Sequence, residues 1–255
     1  MTEHALIFLS YTLTFESAFH CGSGLSNGLI DRSIVRAQDD YAYVPGSTIK
    51  GVVRESCEQI ARLYALKVRD PHDEAAAVEA IADGPDIVER LFGSRCRESD
   101  LFFDNAAMDD EWQRFFRSPD DRPGNPPRYL HLQSAPRTQT RISRRTGTVE
   151  AKALYTSEFG MPALQFQGAI HGMIEGIPND LSKLPGPFPL FLLVAGVYAT
   201  QRIGANRSTG MGRCRFGIDS FKVGRNTIDP AAYCREIDSL EVYEEAKEEN
   251  ICSPS

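Results

Sequence analysis

FHCGSGLSNGLIDRSIVRAQDDYAYVPGSTIKGVVR, residues 19–54, holds the pattern on which the fold turns. It begins in a glycine turn (Gly22, Gly24, Gly28), passes one carboxylate at Asp31, and ends in Pro45-Gly46-Ser47-Thr48-Ile49-Lys50-Gly51. Beyond that proline the apolar residues Ile49, Val52, Val53, Cys57, Ile60, Leu63 and Tyr64 recur at helical spacing, which predicts a helix of about five turns with Ser47 or Thr48 as its cap. Glycines let backbone come close to a ligand, and a helix start offers unpaired N–H groups to an anion. Lys50 and Arg54, four residues apart, fall on one face of that helix. The segment has the makings of a phosphate cradle.

Working outward, residues 7–16 (IFLSYTLTFE) alternate apolar and polar side chains and read as a half-buried strand leading to His20. Beside Gly22-Ser23-Gly24, His20 is placed either to donate to phosphate or ribose or to serve as a structural hydrogen-bonding residue. Asp31, on local evidence alone, is an Asx-turn or capping aspartate. Residues 41–44 form a short extended approach to Pro45. A polar, alanine-rich stretch over 69–86 predicts a partly helical surface insertion, followed by a short helix over 87–92 stopped by Gly93. Residues 101–105 read as a strand and 117–127 (RSPDDRPGNPP) as a mobile proline and glycine loop. Residues 136–159 (PRTQTRISRRTGTVEAKALYTSEF) predict a β-hairpin or extended arm with Arg144 and Arg145 at its tip.

Residues 164–175 form a strand in which His171 is a packed or edge residue, and 187–200 (PFPLFLLVAGVYAT), apolar all round, form a buried helix. The loop 203–213, IGANRSTGMGR, precedes a strand over 214–223. It lacks the lysine of a GxxxxGK[ST] loop and does not open a helix, so nucleotide hydrolysis is disfavoured. Backbone lying along a sugar-phosphate chain suits it better, with Arg207 and Ser208 as donors and Gly210 beside them.

The chain has 255 residues, 42% of them hydrophobic, enough for a real core. The six cysteines are scattered without a CxxC pair, and no apolar run is long enough to span a bilayer, which points to reduced thiols and a cytoplasmic location. The net charge of −7 disfavours a stand-alone nucleic-acid binder, but its distribution is uneven. Residues 128–152 carry a local balance of +5 and residues 235–249 one of −5. A basic middle is thus set against an acidic tail.

Three separated pieces, the turn 20–24, the PGSTIKGVVR helix start and the loop IGANRSTGMGR, resemble the RAMP superfamily of CRISPR–Cas systems in the expected order. GLIDRSIVR before the helix and RISRRTGTVEAKALYTSE in the middle are similar to the repeated backbone (Cas7-type) subunit of type III effector complexes. That resemblance implies an α+β fold. It would be a single domain over 1–255 with an RRM-like, ferredoxin-like palm, an insertion at about 69–86, a β-hairpin thumb at about 136–159 and an acidic tail at about 235–255. It implies subunits that stack along a CRISPR guide RNA, beside other RAMP subunits and the large and small subunits, with single-stranded target RNA as substrate and no membrane partner.

By the same resemblance Asp31 cuts the target with Mg2+ or another divalent cation bound transiently, and no organic cofactor is implied. The guide-binding positions carried over are His20, Ser47, Thr48, Lys50 and the loop 204–212; Gly22, Ser23, Arg54, Arg207, Ser208 and Gly210 join them from the local reading, and Arg144 and Arg145 fall in the thumb. The chemistry is compatible with one carboxylate, because RNA brings its own 2′-hydroxyl nucleophile and the protein needs only to align it and stabilise charge. Three other roles stay open: a non-catalytic subunit in which Asp31 shapes its loop, a precursor-processing endonuclease using His20 as general base, and, outside the resemblance, a small-molecule enzyme whose glycine turns hold a phosphate.

Overall fold

A computed structural model describes residues 4–26, 28–70, 84–95, 97–117, 127–175 and 188–235, together with positions 73, 75, 79 and 121. The predicted insertion at 69–86 and the loop at 117–127 lie largely outside the described residues, and the acidic tail lies outside them from residue 236. In chain order the strands are β1 (His4–Phe15), β2 (Leu101–Phe103), β3 (Ala107–Met108), β4 (Ser134–Ile142), β5 (Val149–Gly160), β6 (Gln165–Glu175), β7 (Cys214–Val223) and β8 (Asn226–Ile228). The helices are α1 (Gly46–Leu63), α2 (Ile87–Phe92), α3 (Asp110–Phe116), α4 (Phe188–Ala199) and α5 (Pro230–Arg235).

The main sheet runs β2-β6-β1-β7-β8, all antiparallel, with β3 also paired to β6. This is the α+β, ferredoxin-like arrangement expected. The period of two in β1 turns Ala5, Ile7, Leu9, Tyr11, Leu13 and Phe15 to one face, and all six are completely buried. Helices α1 and α4 cover that face, bound to each other by the Cys57 thiol donating to the Leu192 carbonyl and by a Ser56–Thr200 hydroxyl pair. Burial of α4 on nearly every side explains its uniformly apolar sequence. On the other face of the sheet Leu6, Phe8, Phe102 and Met173 remain exposed, and half-buried His171 stacks on Phe102. His171 lies on β6, one strand in from the sheet edge. Among the described residues no helix is long and apolar enough to cross a membrane.

The start of α1 departs from expectation. Its cap is Pro45, with no side-chain cap; the Pro45 carbonyl accepts the Thr48 and Ile49 N–H groups, and Asn105 Oδ1 accepts that of Gly46. A Cβ at Gly46 would stand 2.0 Å from the Phe103 carbonyl oxygen, so the close approach of helix start to β2 requires glycine there. The predicted strand at 101–105 is observed over Leu101–Phe103, with the Asp104 N–H still donating in register to the Ala169 carbonyl.

The ends of the insertion are not surface features. Arg69 and Asp86 are both buried: the Arg69 N–H donates to Asp86 Oδ2, and its guanidinium donates to the Gly84 carbonyl and Glu89. Asp86 also caps α2 in a reciprocal box with Glu89. The basic middle forms a separate two-stranded sheet, β4 with β5, paired from Ser134–Gly160 at the base to Ile142–Val149 near the tip.

Candidate nucleic-acid interface

Residues 21–35 leave the end of β1 and return on themselves. Gly22 bridges Ile34, the Ser23 N–H donates to the Ser33 carbonyl, and the Val35 N–H donates to that of Cys21. The apex is solvent-facing, with Leu29 at 94% exposure. On the returning arm the backbone lies parallel to β5, where Arg32 bridges Ser157. There Asp31 clasps one residue, Thr156, by both its N–H and its carbonyl. Its N–H donates to the Thr156 carbonyl at 2.9 Å, and its Oδ2 accepts the Thr156 N–H at 2.7 Å. Asp31 is exposed, and Oδ1 has no hydrogen-bond partner among the described residues. The neighbouring Arg32 guanidinium lies 5.0 Å from the Tyr155 ring centroid.

Glu158 joins this loop to the hairpin base from within. Its Oε2 accepts the Ile34 N–H and Arg36 Nη1, while Oε1 accepts the Ser134 hydroxyl at 2.6 Å and Arg36 Nη2 at 2.5 Å. Burial alone would raise the carboxyl pKa; the hydrogen bonds from Arg36, Ser134 and Ile34, with the Arg36 charge, outweigh it and hold Glu158 below its ordinary value. The Glu158 carbonyl meets His20 Nδ1 at 2.6 Å. A carbonyl can only accept, so Nδ1 carries the proton in that bond.

The glycine loop closes against the same turn. The Ala205 N–H donates to the His20 carbonyl, and the Gly212 N–H to that of Ala18. Gly212 has φ +71°, and a Cβ there would meet the Ile203 carbonyl oxygen at 2.0 Å, so this stem also demands glycine. At the tip Arg207, Ser208 and Gly210 are exposed, with Arg207 paired to Glu55 of α1 at 2.8 Å. Arg137 of the hairpin reaches Met211 and covers the Phe159 ring.

The predicted site residues therefore divide. Gly22, Ser23, Asp31, the hairpin base and the loop 203–213 are brought together around His20. His20 itself is inside, 6% exposed, holding the turn to β5 instead of facing outward. Ser47 is exposed and Thr48 and Lys50 are half-exposed at the start of α1; burial, then the charge of Arg54, lowers the Lys50 pKa. Arg54 is committed internally, bonded to Glu58 and to the Gly93 carbonyl. Arg144 and Arg145 are exposed at the hairpin turn, about 27 Å from its base at strand rise over eight steps. The sequence reading passed over Arg36, Ser134, Thr156 and Glu158. The available signal for Glu158 was an acid near the base of an arginine-rich hairpin that carries only one other, Glu150.

Among the described residues no group of three or more His, Cys, Asp or Glu side chains could hold a metal ion. Asp31 Oδ1 offers a single ligand, which fits a magnesium ion that takes its other ligands from water and phosphate and does not fit a preformed protein cage.

The family model of the RAMP superfamily matches residues 12–215. Among solved structures the chain is similar to one from the cryo-EM structure of type III-B Cmr-beta in the apo state. That match has a TM-score of 0.53 and 10% identity, covering 83% of this chain and 97% of that one. At that identity the likeness speaks for the fold. No curated protein sequence matches.

Proposed function

The chain belongs to the RAMP superfamily, and from that membership we propose that it is a guide-RNA-binding backbone subunit of a type III CRISPR–Cas effector complex that cleaves target RNA through Asp31. The observation that carries the reading is the placement of Asp31. Its carboxylate is exposed, fixed by one oxygen to the Thr156 N–H, and set on the basic hairpin two residues from Glu158, whose carbonyl holds the His20 turn that the glycine loop closes on.

Each residue group has a part in this scheme. The loop 203–213, Ser23 and the α1 start around Ser47, Thr48 and Lys50 hold the guide backbone through N–H, hydroxyl and cationic donors. His20 acts at one remove, by fixing the turn to the Glu158 carbonyl. Arg144 and Arg145 reach phosphates further along the duplex. The clasp on Thr156 engages Oδ2 and leaves Asp31 Oδ1 without a partner among the described residues, so that it can position the 2′-hydroxyl for attack on the adjacent phosphate. Asp31 would hold the divalent cation, whose chemistry there is neutralisation of charge on that phosphate.

The clasp also supports a second reading, in which Asp31 only shapes the loop of a non-catalytic subunit. Asp31→Asn separates the two, because the amide oxygen keeps an acceptor for Thr156 while the charge is lost. Target cleavage by the complex assembled with Asp31→Asn should stop, with assembly and target binding intact. Cleavage at the wild-type rate would exclude catalysis by Asp31, and lost assembly only in Asp31→Ala would identify a shaping role. His20 as the general base of a precursor-cutting enzyme has the least support, since it is buried with Nδ1 engaged.

A further inference from the structure

The stem of the glycine loop carries two arginines side by side. Arg202 and Arg213 form an antiparallel bridge at its neck, and Arg215 follows two residues along on β7. Behind the neck, between the C-terminal end of α4 and the start of β7, lies a cavity of about 420 Å³ lined by Glu16, Tyr198, Gln201, Arg202, Arg213 and Arg215 among others. A second cavity, of about 190 Å³, shares the Gln201–Arg202 wall and continues to Arg207 and Glu55 at the loop. Together they make one trough from the loop to the start of β7.

Charge in the trough is not balanced. Arg207 is paired with Glu55, and Arg213 with Glu16 at 2.7 Å. Arg202 donates only to a neutral partner, the Arg207 carbonyl. The Arg215 side chain, on an exposed residue of β7, has no hydrogen-bond or ion-pair partner among the described residues. Two guanidinium groups are therefore unmatched by carboxylate in a chain of net charge −7. The end of α4 opposes them with about half a negative charge, which two full charges exceed.

We infer that this trough is a phosphate-binding site that carries the backbone of single-stranded RNA onward from the glycine loop, with Arg202 and Arg215 as its contacts. The inference rests on the RNA-binding reading above and extends it to residues outside the loop. The shared chemistry is a phosphate oxyanion. An elongated, open trough with arginines spaced along it suits a chain of diesters, whereas a small phosphorylated compound is held in an enclosed pocket by converging donors.

The test measures binding of labelled single-stranded RNA to the full chain over a range of KCl concentrations. It compares wild type, Arg202→Gln/Arg215→Gln, the matching Lys double variant, and Arg207→Gln. Loss of two phosphate contacts should lower the slope of log K against log[salt] by about 1.4 and weaken binding about tenfold at moderate salt. The Lys variant should restore the slope. An unchanged slope in the Gln double variant, with weaker binding in Arg207→Gln, would overturn the trough and leave RNA binding by the loop in place. Wild type without salt-dependent RNA affinity would remove both. If inorganic phosphate raises the melting temperature of wild type but not of the Gln double variant, while the RNA slopes agree, the site serves a free phosphate compound and the backbone assignment fails.

Discussion

Replacing Glu158 by Gln should unfasten the base of the hairpin from the Asp31 loop. The carboxylate is 7% exposed and accepts from Arg36, Ser134 and the Ile34 N–H; Arg36 is 29% exposed. A glutamine keeps the shape but turns an NH2 toward a neighbour that is itself a donor. Breaking a buried pair by removing one partner costs about 3–5 kcal/mol. Partial exposure of Arg36 reduces that to about 2–4 kcal/mol, because water can solvate the abandoned guanidinium. Urea denaturation of the full chain at neutral pH should show the midpoint falling by about 1 M, for a denaturant slope of about 2–3 kcal/mol per molar. Arg36→Met completes a double-mutant cycle, with a coupling of about 1–3 kcal/mol expected.

Acid should reveal the same network. A carboxyl held below its ordinary 4.5 by its partners stabilises the fold above that pH, and the contribution is lost as pH falls through the lowered value. Wild type should lose its advantage over Glu158→Gln across that acid window. Equal urea midpoints at neutral pH, or additive single variants, would refute the assignment of Glu158 as the tie between loop and hairpin.

Two further outcomes follow from geometry alone. Arg144→Gln/Arg145→Gln should leave the urea midpoint unchanged, since both side chains are exposed at the hairpin turn, yet lower the salt slope of RNA binding by about 1.4. Gly46→Ala should cost about 1–3 kcal/mol in the same denaturation assay, because its Cβ would stand 2.0 Å from the Phe103 carbonyl oxygen and α1 must shift away from β2.

What could be read from sequence was what repeats locally. Alternation along β1, the helical spacing from Ile49 onward and the apolar run of α4 each state their own environment, and each element formed where its period placed it. The short strands β3 and β8, of two and three residues, are too brief to show a period. Ser47 and Thr48 have the composition of caps. The cap instead lies two residues before Ser47, at Pro45, because Asn105, remote in sequence, takes the Gly46 N–H. The site was legible as a set of loops but not as a set of contacts. Whether His20 faces outward or inward is decided by the Glu158 carbonyl, and the orientation of Asp31 by Thr156, each more than a hundred residues away. Arg54 has the right spacing for a ligand-facing cation, yet Glu58 and the Gly93 carbonyl claim it.

The clasp of Arg69 on Gly84, Asp86 and Glu89 has a consequence for how this chain can change over time. With both ends of the intervening segment fastened to each other and to the cap of α2, the palm is indifferent to how many residues lie between them. For a chain segment whose ends are already tied, doubling the length adds only about 0.6 kcal/mol of closure entropy. Insertions and deletions there are therefore nearly neutral for folding, and the position is a natural port at which lineages, or an engineer splicing in a reporter, can vary length without disturbing the sheet.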